Sequence, residues 1–253
     1  MIAMPVALIA CSVKEDRSVC PCELTVRSAE KLSSDGRVLV SVIQDGAVVK
    51  QGMMSRREFE EGACVLTVPR KPSTVTVFTG ITDMDMVSGR TLDIREENEC
   101  DKVFSSIGSV LPVADTCSCT VIPRKNYANL FLEVVGMPQD GSVRILGKVH
   151  GYDVVSLSPR EGPFAFVPEG SLDGTYKCVI RLPRQTDDSL TLEVLSGDSL
   201  LETVPAGRLI KSSGYDFDEE SLPDITLTVD LTRSSAAVRI ADWDFEGSTI
   251  LNF

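Results

Sequence analysis

The sequence predicts an all-β protein built from two tandem antiparallel β-sandwiches. Its 253 residues are 43% hydrophobic, which is typical of a chain that buries a core, and they suffice for two domains. Val, Leu and Ile dominate the apolar residues, whereas stretches with helical spacing are nearly absent. Short apolar runs alternate with turn signals along both halves. Connections this short leave little room for crossover helices, which favours sandwiches.

The N-terminal segment has the pattern of an export signal. Residues 1–10 carry no charged side chain and end in Ala10, directly before Cys11. An apolar segment, a small residue and then a thiol resemble the lipobox that is cleaved and lipidated in bacterial lipoproteins. Residues 1–10 are therefore the predicted signal peptide and Cys11 the lipidation site, although no Lys or Arg precedes the apolar run. A buried first strand is the alternative, and Pro5 argues against it.

Residues 11–22 form the predicted lipidated tether. Residues 12–17 are mostly charged, and they resemble the export tag that sends some Gram-negative lipoproteins to the outer leaflet of the outer membrane. A solvated linker between lipid and domain is the alternative interpretation of this stretch. The sequence contains no run of 18 or more apolar residues, so no transmembrane helix is predicted.

Seven cysteines remain after Cys11, an odd number in a compartment that permits disulfides. Four of them form two Cys-x-Cys pairs, Cys20 with Cys22 and Cys117 with Cys119. Four thiolates suit a tetrahedral zinc ion, but structural zinc sites usually separate their cysteines by two or more residues, so no metal site is predicted. Residues two apart on a strand share a face, so each pair can supply buried thiols or a disulfide partner. The pairing is not determined by the sequence.

The first half, residues 23–118, consists of predicted short strands separated by turns. Asp45-Gly46 lies between two apolar runs, which is a strong hairpin signal. Residues 55–62 begin with serine, continue with charged residues and end with glycine, which predicts a helical turn. The predicted strands are residues 38–43, 47–49, 64–68 and 75–78.

The second half, residues 119–253, repeats this style after a boundary rich in small residues. Its predicted strands are residues 129–135, 143–146, 164–167, 176–182, 190–195, 200–204 and 225–231. The last of these strands alternates strictly, which places Ile225, Leu227, Val229 and Leu231 on one face. We therefore expect this strand to be half buried.

The start and the end of the chain resemble a known family. Cys11 is followed by residues 14–22, which lead into a β domain. Near the end, residues 225–231 precede the segment 238–243. These segments are similar to the corresponding parts of the FimB-type fimbrial anchor lipoproteins of gut and oral Gram-negative bacteria.

The resemblance implies two transthyretin-like, Greek-key sandwiches and a lipid anchor in the outer membrane. It also implies a role at the base of a fimbrium, where the protein would hold the shaft to the membrane and limit its length. Shaft subunits are the implied partners, and neither catalysis nor a cofactor is implied. In such fimbriae, a terminal strand of one subunit completes a sheet of the next subunit by strand addition.

For this chain, the implied donor segment is residues 236–253. Its apolar side chains Val238, Ile240, Trp243 and Phe245 would insert into the groove of a neighbouring subunit. Trp243 and Phe245 are two residues apart, so they share a face of an extended strand. The alternative is that this segment is the last strand of the second sandwich, with Trp243 in its own core.

Charge and motifs argue against nucleic-acid binding and against catalysis. The chain has 25 basic and 37 acidic residues, a net charge of -12 that repels a phosphate backbone. His150 is its single histidine, and no G-x-S-x-G, zincin, P-loop or dinucleotide-binding motif is present. The acidic segments 83–85 and 216–220 match no known calcium loop and are interpreted as solvated loops. The prediction is a non-enzymatic protein without a small-molecule substrate.

Three other functional classes are considered. A lipid-anchored carbohydrate-binding module would fit the same location and architecture, but such modules usually present exposed aromatic platforms, and only 6% of this chain is aromatic. A fimbrial tip adhesin would share the fold but often carries an extra domain. A glycosidase would need two carboxylates at a catalytic separation, which the sequence gives no reason to expect.

Overall fold

The computed structural model describes residues 17–83, 86–241 and 248–252. Nearly all of the regular structure in these residues is β-strand. The elements of the first half are β1 Pro21–Ser28, β2 Arg37–Gln44, β3 Ala47–Ser55, α1 Arg56–Gly62, β4 Cys64–Pro69, β5 Ser73–Ile81, β6 Val87–Ser88, β7 Thr91–Asp93, β8 Phe104–Val110, β9 Thr116–Val121 and β10 Arg124–Lys125. Those of the second half are β11 Tyr127–Val135, β12 Gly141–Asp153, β13 Pro159–Phe166, β14 Ser171–Leu172, β15 Thr175–Pro183, β16 Thr191–Ser196, β17 Ser199–Val204, α2 Ala206–Ser212, β18 Asp224–Asp230, β19 Ser235–Ala241 and β20 Ser248–Asn252.

The first sandwich packs two sheets face to face. One sheet has the strand order β4-β1-β9, and the other has the order β10-β8-β5-β2-β3. Cys22, Leu24 and Val26 are alternate residues of β1 and are buried, and Leu24 and Val26 pack with Val38 and Val40 of β2 in one core. Successive side chains of a strand point to opposite faces, so the residues between them in β1 are directed away from this core.

The second sandwich is built in the same way. Its sheets have the orders β14-β15-β11-β18-β19-β20 and β17-β16-β12-β7-β6, and β13 pairs with β12. Ile225, Leu227 and Val229 of β18 are buried in one core with Leu130 of β11, and Leu231 just beyond the strand is partly buried. The half-buried strand predicted at this position is confirmed.

The two sandwiches have corresponding patterns of strand pairing. In the first sandwich, β1 pairs antiparallel with β4 and in parallel with β9. In the second sandwich, β11 pairs antiparallel with β15 and in parallel with β18. In the opposite sheet of the first sandwich, the central pair β2–β5 is flanked by β3 and β8. In that of the second sandwich, the central pair β12–β16 is flanked by β13 and β17. The predicted all-β fold with two sandwiches is confirmed, apart from one parallel pair in each. A parallel pair needs a long connection, and here the intervening strands of each sandwich supply it.

The second sandwich covers the outer face of the β2–β5 sheet. Val38 and Val40 point into the first core, whereas Leu39 and Phe78 on the other face belong to the core of the second sandwich. The rings of Phe78 and Tyr152 lie 6.0 Å apart between centroids. An almost uninterrupted apolar run such as that of β2 is typical of a strand that is buried on both faces.

The hairpin β6–β7 crosses from the first half of the sequence to the second sandwich. Leu92 of β7 pairs with Tyr152 of β12, and the backbone N–H of Ile94 donates to the carbonyl of His150 at 2.6 Å. The predicted boundary between residues 118 and 119 falls inside β9, which pairs with β1. The two cores are therefore not separated by a single cut in the sequence, and the division into domains 23–118 and 119–253 stays a prediction.

Local sequence signals fix two connections in the first sandwich. Asp45 and Gly46 have φ values of 52° and 77°, and two positive values are what a type I′ hairpin turn requires. The Ser55 side chain accepts a hydrogen bond from the backbone N–H of Glu58, and the Glu58 carboxylate accepts one from the backbone N–H of Ser55. This capping box starts α1 and orients Phe59 into the first core. The predicted hairpin and helical turn are both confirmed.

Candidate functional site

The last residues of the predicted tether lie at a fixed point on the first sandwich. Cys11 lies outside the residues that the structure describes, so its lipidation stays a prediction. Arg70, in the loop after β4, holds the end of the predicted tether: its backbone N–H donates to the Cys20 carbonyl and its Nε to the Pro21 carbonyl, both at 3.1 Å. Its guanidinium also pairs with Asp115, directly before β9. The sequence carries no local signal for this role of Arg70, because its partners are distant in the chain.

The two Cys-x-Cys pairs approach each other at this fixed point. Cys22 and Cys119 are buried, and Cys20 and Cys117 are partly exposed. The sulfur atoms of Cys22 and Cys117 lie 3.2 Å apart, and Cys117 packs against the first core. Burial, together with the neighbouring Cys22, raises the pKa of the Cys117 thiol to about 12. Parallel pairing of β1 with β9 produces this meeting of thiols.

The buried thiols Cys64 and Cys119 fill space in the first core. A Cβ added at Gly108 would lie 2.8 Å from the Cys119 sulfur, and one at Gly52 would lie 3.1 Å from the Cys64 sulfur. Each sulfur thus packs against a glycine of the facing sheet, which leaves room for it. Burial raises the pKa of the Cys64 thiol to about 11 and also raises that of Cys119, so both remain protonated at neutral pH.

The segment predicted as a donor begins with a strand of the second sandwich. β19 pairs with β18 on one side and with β20 on the other. Val238 is 1% exposed and belongs to the second core, and Ile240 packs against that core. Trp243 and Phe245 lie outside the described residues. The structure thus has β19 completing its own sheet, and its donation to a neighbour stays a prediction.

Arg184 donates hydrogen bonds to the acidic loop 216–220, one of the two segments compared with calcium loops. Arg184 donates through Nη1 to the carbonyls of Phe217 and Glu219, at 2.6 and 2.8 Å, and through Nε to the Asn126 side-chain oxygen at 2.5 Å. These carbonyls are the kind of oxygen that Ca²⁺ takes from a loop. Among the described residues, no group of three or more His, Cys, Asp or Glu side chains is arranged to hold a metal ion.

His150 lies beside a surface cavity of about 480 Å³ that is also lined by Ile94 and Phe164. Its Nδ1 atom is buried and has no hydrogen-bond partner. In a Ser-His-Asp site a carboxylate accepts a hydrogen bond from this atom and so orients the imidazole. The Nδ1 atom of His150 therefore makes no such hydrogen bond, although the carboxylate residues Glu96 and Glu97 line the same cavity.

The described aromatic side chains form no exposed platform. All four tyrosines of the chain, Tyr127, Tyr152, Tyr176 and Tyr215, are buried. Among the described residues, the one aromatic side chain with large exposure is Phe131, at 41%. Within the same residues, no helix has both the length and the apolar character that crossing a bilayer requires.

The chain shares its fold with solved structures. It superposes on a proposed polysaccharide-binding protein from Bacteroides thetaiotaomicron with a TM-score of 0.64 and 11% identity, over 92% of this chain and 98% of that one. It superposes on the fimbrial anchor protein Mfa2 from Porphyromonas gingivalis with a TM-score of 0.62 and 10% identity, over 88% and 98%. For a proposed adhesin from Bacteroides thetaiotaomicron the values are 0.60 and 11%, over 91% and 97%.

This likeness concerns the fold. No family model matches the sequence, and no curated protein matches it. The three solved structures have different functional names although each superposes on this fold. A shared fold does not by itself imply a shared function.

Proposed function

We propose that the protein is a non-enzymatic lipoprotein of the outer-membrane surface that anchors a fimbrial shaft and limits its length. The observation that carries the proposal is the match of almost the whole two-sandwich chain to the fimbrial anchor protein Mfa2. The lipobox at Cys11 supplies the means of attachment that an anchor needs.

Under this proposal the two ends of the chain have separate tasks. The tether enters the first sandwich at β1, where Arg70 holds it through two hydrogen bonds. The proposed donor segment, beginning with β19, belongs to the edge of a sheet in the second sandwich. Membrane attachment and shaft attachment are therefore assigned to different sandwiches.

The placement of aromatic side chains favours an anchor over a carbohydrate-binding module. Sugar-binding modules usually present exposed aromatic rings, whereas the four tyrosines here are buried in the cores. A tip adhesin with the same fold does not hold the shaft to the membrane, so a variant that lacks the lipidation site distinguishes the two roles.

Replacing Cys11 with alanine is expected to release fimbriae from the producing cells into the medium, because the thiol that takes the lipid is lost. The measurement is the amount of shaft protein in cell-bound and medium fractions, together with the length of the released fimbriae. A Cys20→Ala variant is the matched control, since it removes a nearby thiol and leaves the lipobox intact. If Cys11→Ala releases the protein while the fimbriae remain attached, the lipid site stands and the anchoring role is refuted.

Strand addition would require β19 to leave β18, which a covalent lock prevents. Thr228 and Ala237 are paired across β18 and β19, and both are half buried on the outer face. We expect the double variant Thr228→Cys, Ala237→Cys, once oxidised, to abolish attachment of shaft subunits, and reduction to restore it. Attachment is measured by retention of purified shaft subunits on the immobilised protein.

The single variant Thr228→Cys controls for the added thiol. Formation of the lock is verified by a linked peptide in mass spectrometry before attachment is measured. Undiminished attachment by the locked protein would show that β19 remains in its own sheet during assembly, and the donor proposal would then be wrong.

A further inference from the structure

Two cysteines that are far apart in the sequence meet at the end of the first sandwich. Cys22 and Cys117 are 95 positions apart, yet their sulfur atoms lie 3.2 Å from each other. We propose that these two thiols close a disulfide that ties β1, the first strand of the first sandwich, to its parallel neighbour β9.

The positions of the two residues permit the bond after a small movement. β1 and β9 pair in the register Leu24 with Cys117, so Cys22 is a diagonal neighbour of Cys117 on the same inward face. Neighbouring strands lie about 4.8 Å apart and rise about 3.3 Å per residue, so diagonal neighbours have Cα atoms about 8 Å apart, whereas disulfides span up to about 6.8 Å. An approach of about 1 Å closes the difference. Each cysteine is the second residue of its strand, where the backbone yields more easily than in the middle of a sheet.

The other described cysteines have different surroundings. The sulfur atoms of Cys64 and Cys119 pack against Gly52 and Gly108 of the facing sheet. Cys20 precedes β1 and is held by its backbone contact to Arg70. Cys100 and Cys178 belong to the other core, which lies on the second-sandwich side of the molecule. The geometry therefore selects one pair.

The chemistry requires an oxidant, and a small disulfide such as oxidised glutathione suffices. Cys117 is the partly exposed member of the pair and reacts first: its thiolate attacks one glutathione sulfur, forms a mixed disulfide and releases one glutathione thiolate. The Cys22 thiolate then attacks the Cys117 sulfur and releases the second glutathione. The two protein thiols lose two protons and two electrons, and the oxidant gains the electrons.

The bond would close a long loop and strengthen the point at which the tether enters. A crosslink between distant residues stabilises a fold chiefly by restricting the unfolded chain, and more so for longer loops. Cys22 is the last residue of the predicted tether, so the bond would also join the tether to the strand that leads to the second sandwich. The proposal itself is independent of the anchoring role.

The test uses the purified full-length chain, first reduced and then incubated with oxidised glutathione at a pH of about 8.5, where more thiolate is available. After alkylation and digestion, mass spectrometry is expected to find one peptide pair linked through Cys22 and Cys117 and two fewer alkylated thiols than in the reduced chain. Reduction of the oxidised chain is expected to lower its thermal midpoint by about 10 °C.

Three variants test whether Cys22 and Cys117 are the two thiols that form the bond. Cys22→Ala and Cys117→Ala should each lose the linked peptide and the response to reduction, and Cys117→Ala covers the case in which the buried position does not tolerate the change. Cys20→Ala removes the neighbouring thiol and should retain both. A linked peptide of any other composition, or an unchanged number of free thiols after oxidation, would overturn the proposal.

Discussion

The Tyr152→Ala variant is expected to unfold with a free energy about 3–5 kcal/mol lower than that of the native chain. Tyr152 is fully buried, and its ring lies beside Phe78 where the two sandwiches meet. Its hydroxyl donates to the Asn126 carbonyl at 2.6 Å and accepts from the Arg184 backbone N–H at 3.1 Å. The substitution removes a large apolar contact and leaves these two backbone groups without their partner.

Urea unfolding followed by circular dichroism measures this loss, and two variants separate its causes. Tyr152→Phe retains the ring and removes only the hydroxyl, so it should cost about 1–3 kcal/mol. Phe131→Ala alters an exposed aromatic side chain of β11 and should change stability by no more than about 0.5 kcal/mol. Equal losses for Tyr152→Ala and Phe131→Ala would show that Tyr152 does not join the two sandwiches.

The Gly80→Ala variant is expected to lose about 3 kcal/mol or more of stability. Gly80 lies near the end of β5 and has a φ of 86°, a conformation that residues with a side chain rarely adopt. A Cβ at this position would overlap the carbonyl oxygen of Lys102, which is backbone and cannot rotate away. Both the strained φ and the displaced backbone therefore oppose the folded state.

Gly62→Ala is the matched control for this loss. Gly62 ends α1, and an added Cβ would meet nothing within 4 Å. Alanine there should leave stability unchanged or raise it by about 0.4–1 kcal/mol, because it restricts the unfolded chain. Thermal and urea unfolding of the two variants measure the difference, and similar midpoints for both would contradict the proposed strain at Gly80.

The elements that depend on neighbouring residues were predictable from the sequence. The Asp45-Gly46 turn and the Ser55 capping box require only groups within a few positions of each other. The alternation in β18 predicted the burial of Ile225, Leu227 and Val229, because the side chains of a strand alternate between its two faces.

The candidate site was predictable only in its residue types. Two Cys-x-Cys pairs indicated buried thiols or a disulfide, but several pairings satisfied the same spacing. The donor segment was implied by the family resemblance, and the sequence did not distinguish it from a last strand of the second sandwich. The structure places Val238 in the core of its own sandwich and brings Cys22 to Cys117.

By itself, the sequence determined the all-β class and the positions of most strands, and it contains a lipobox-like pattern before Cys11, whose lipidation stays a prediction. Only the tertiary structure decided the parallel pairing of β1 with β9, the passage of the β6–β7 hairpin to the second sandwich and the contact between the two thiols. The physical reason is the different distance along the chain over which the two kinds of interaction act. Turns, caps and alternation are set by forces between near neighbours, whereas strand partners are chosen by burial of whole sheet faces, which no local pattern encodes.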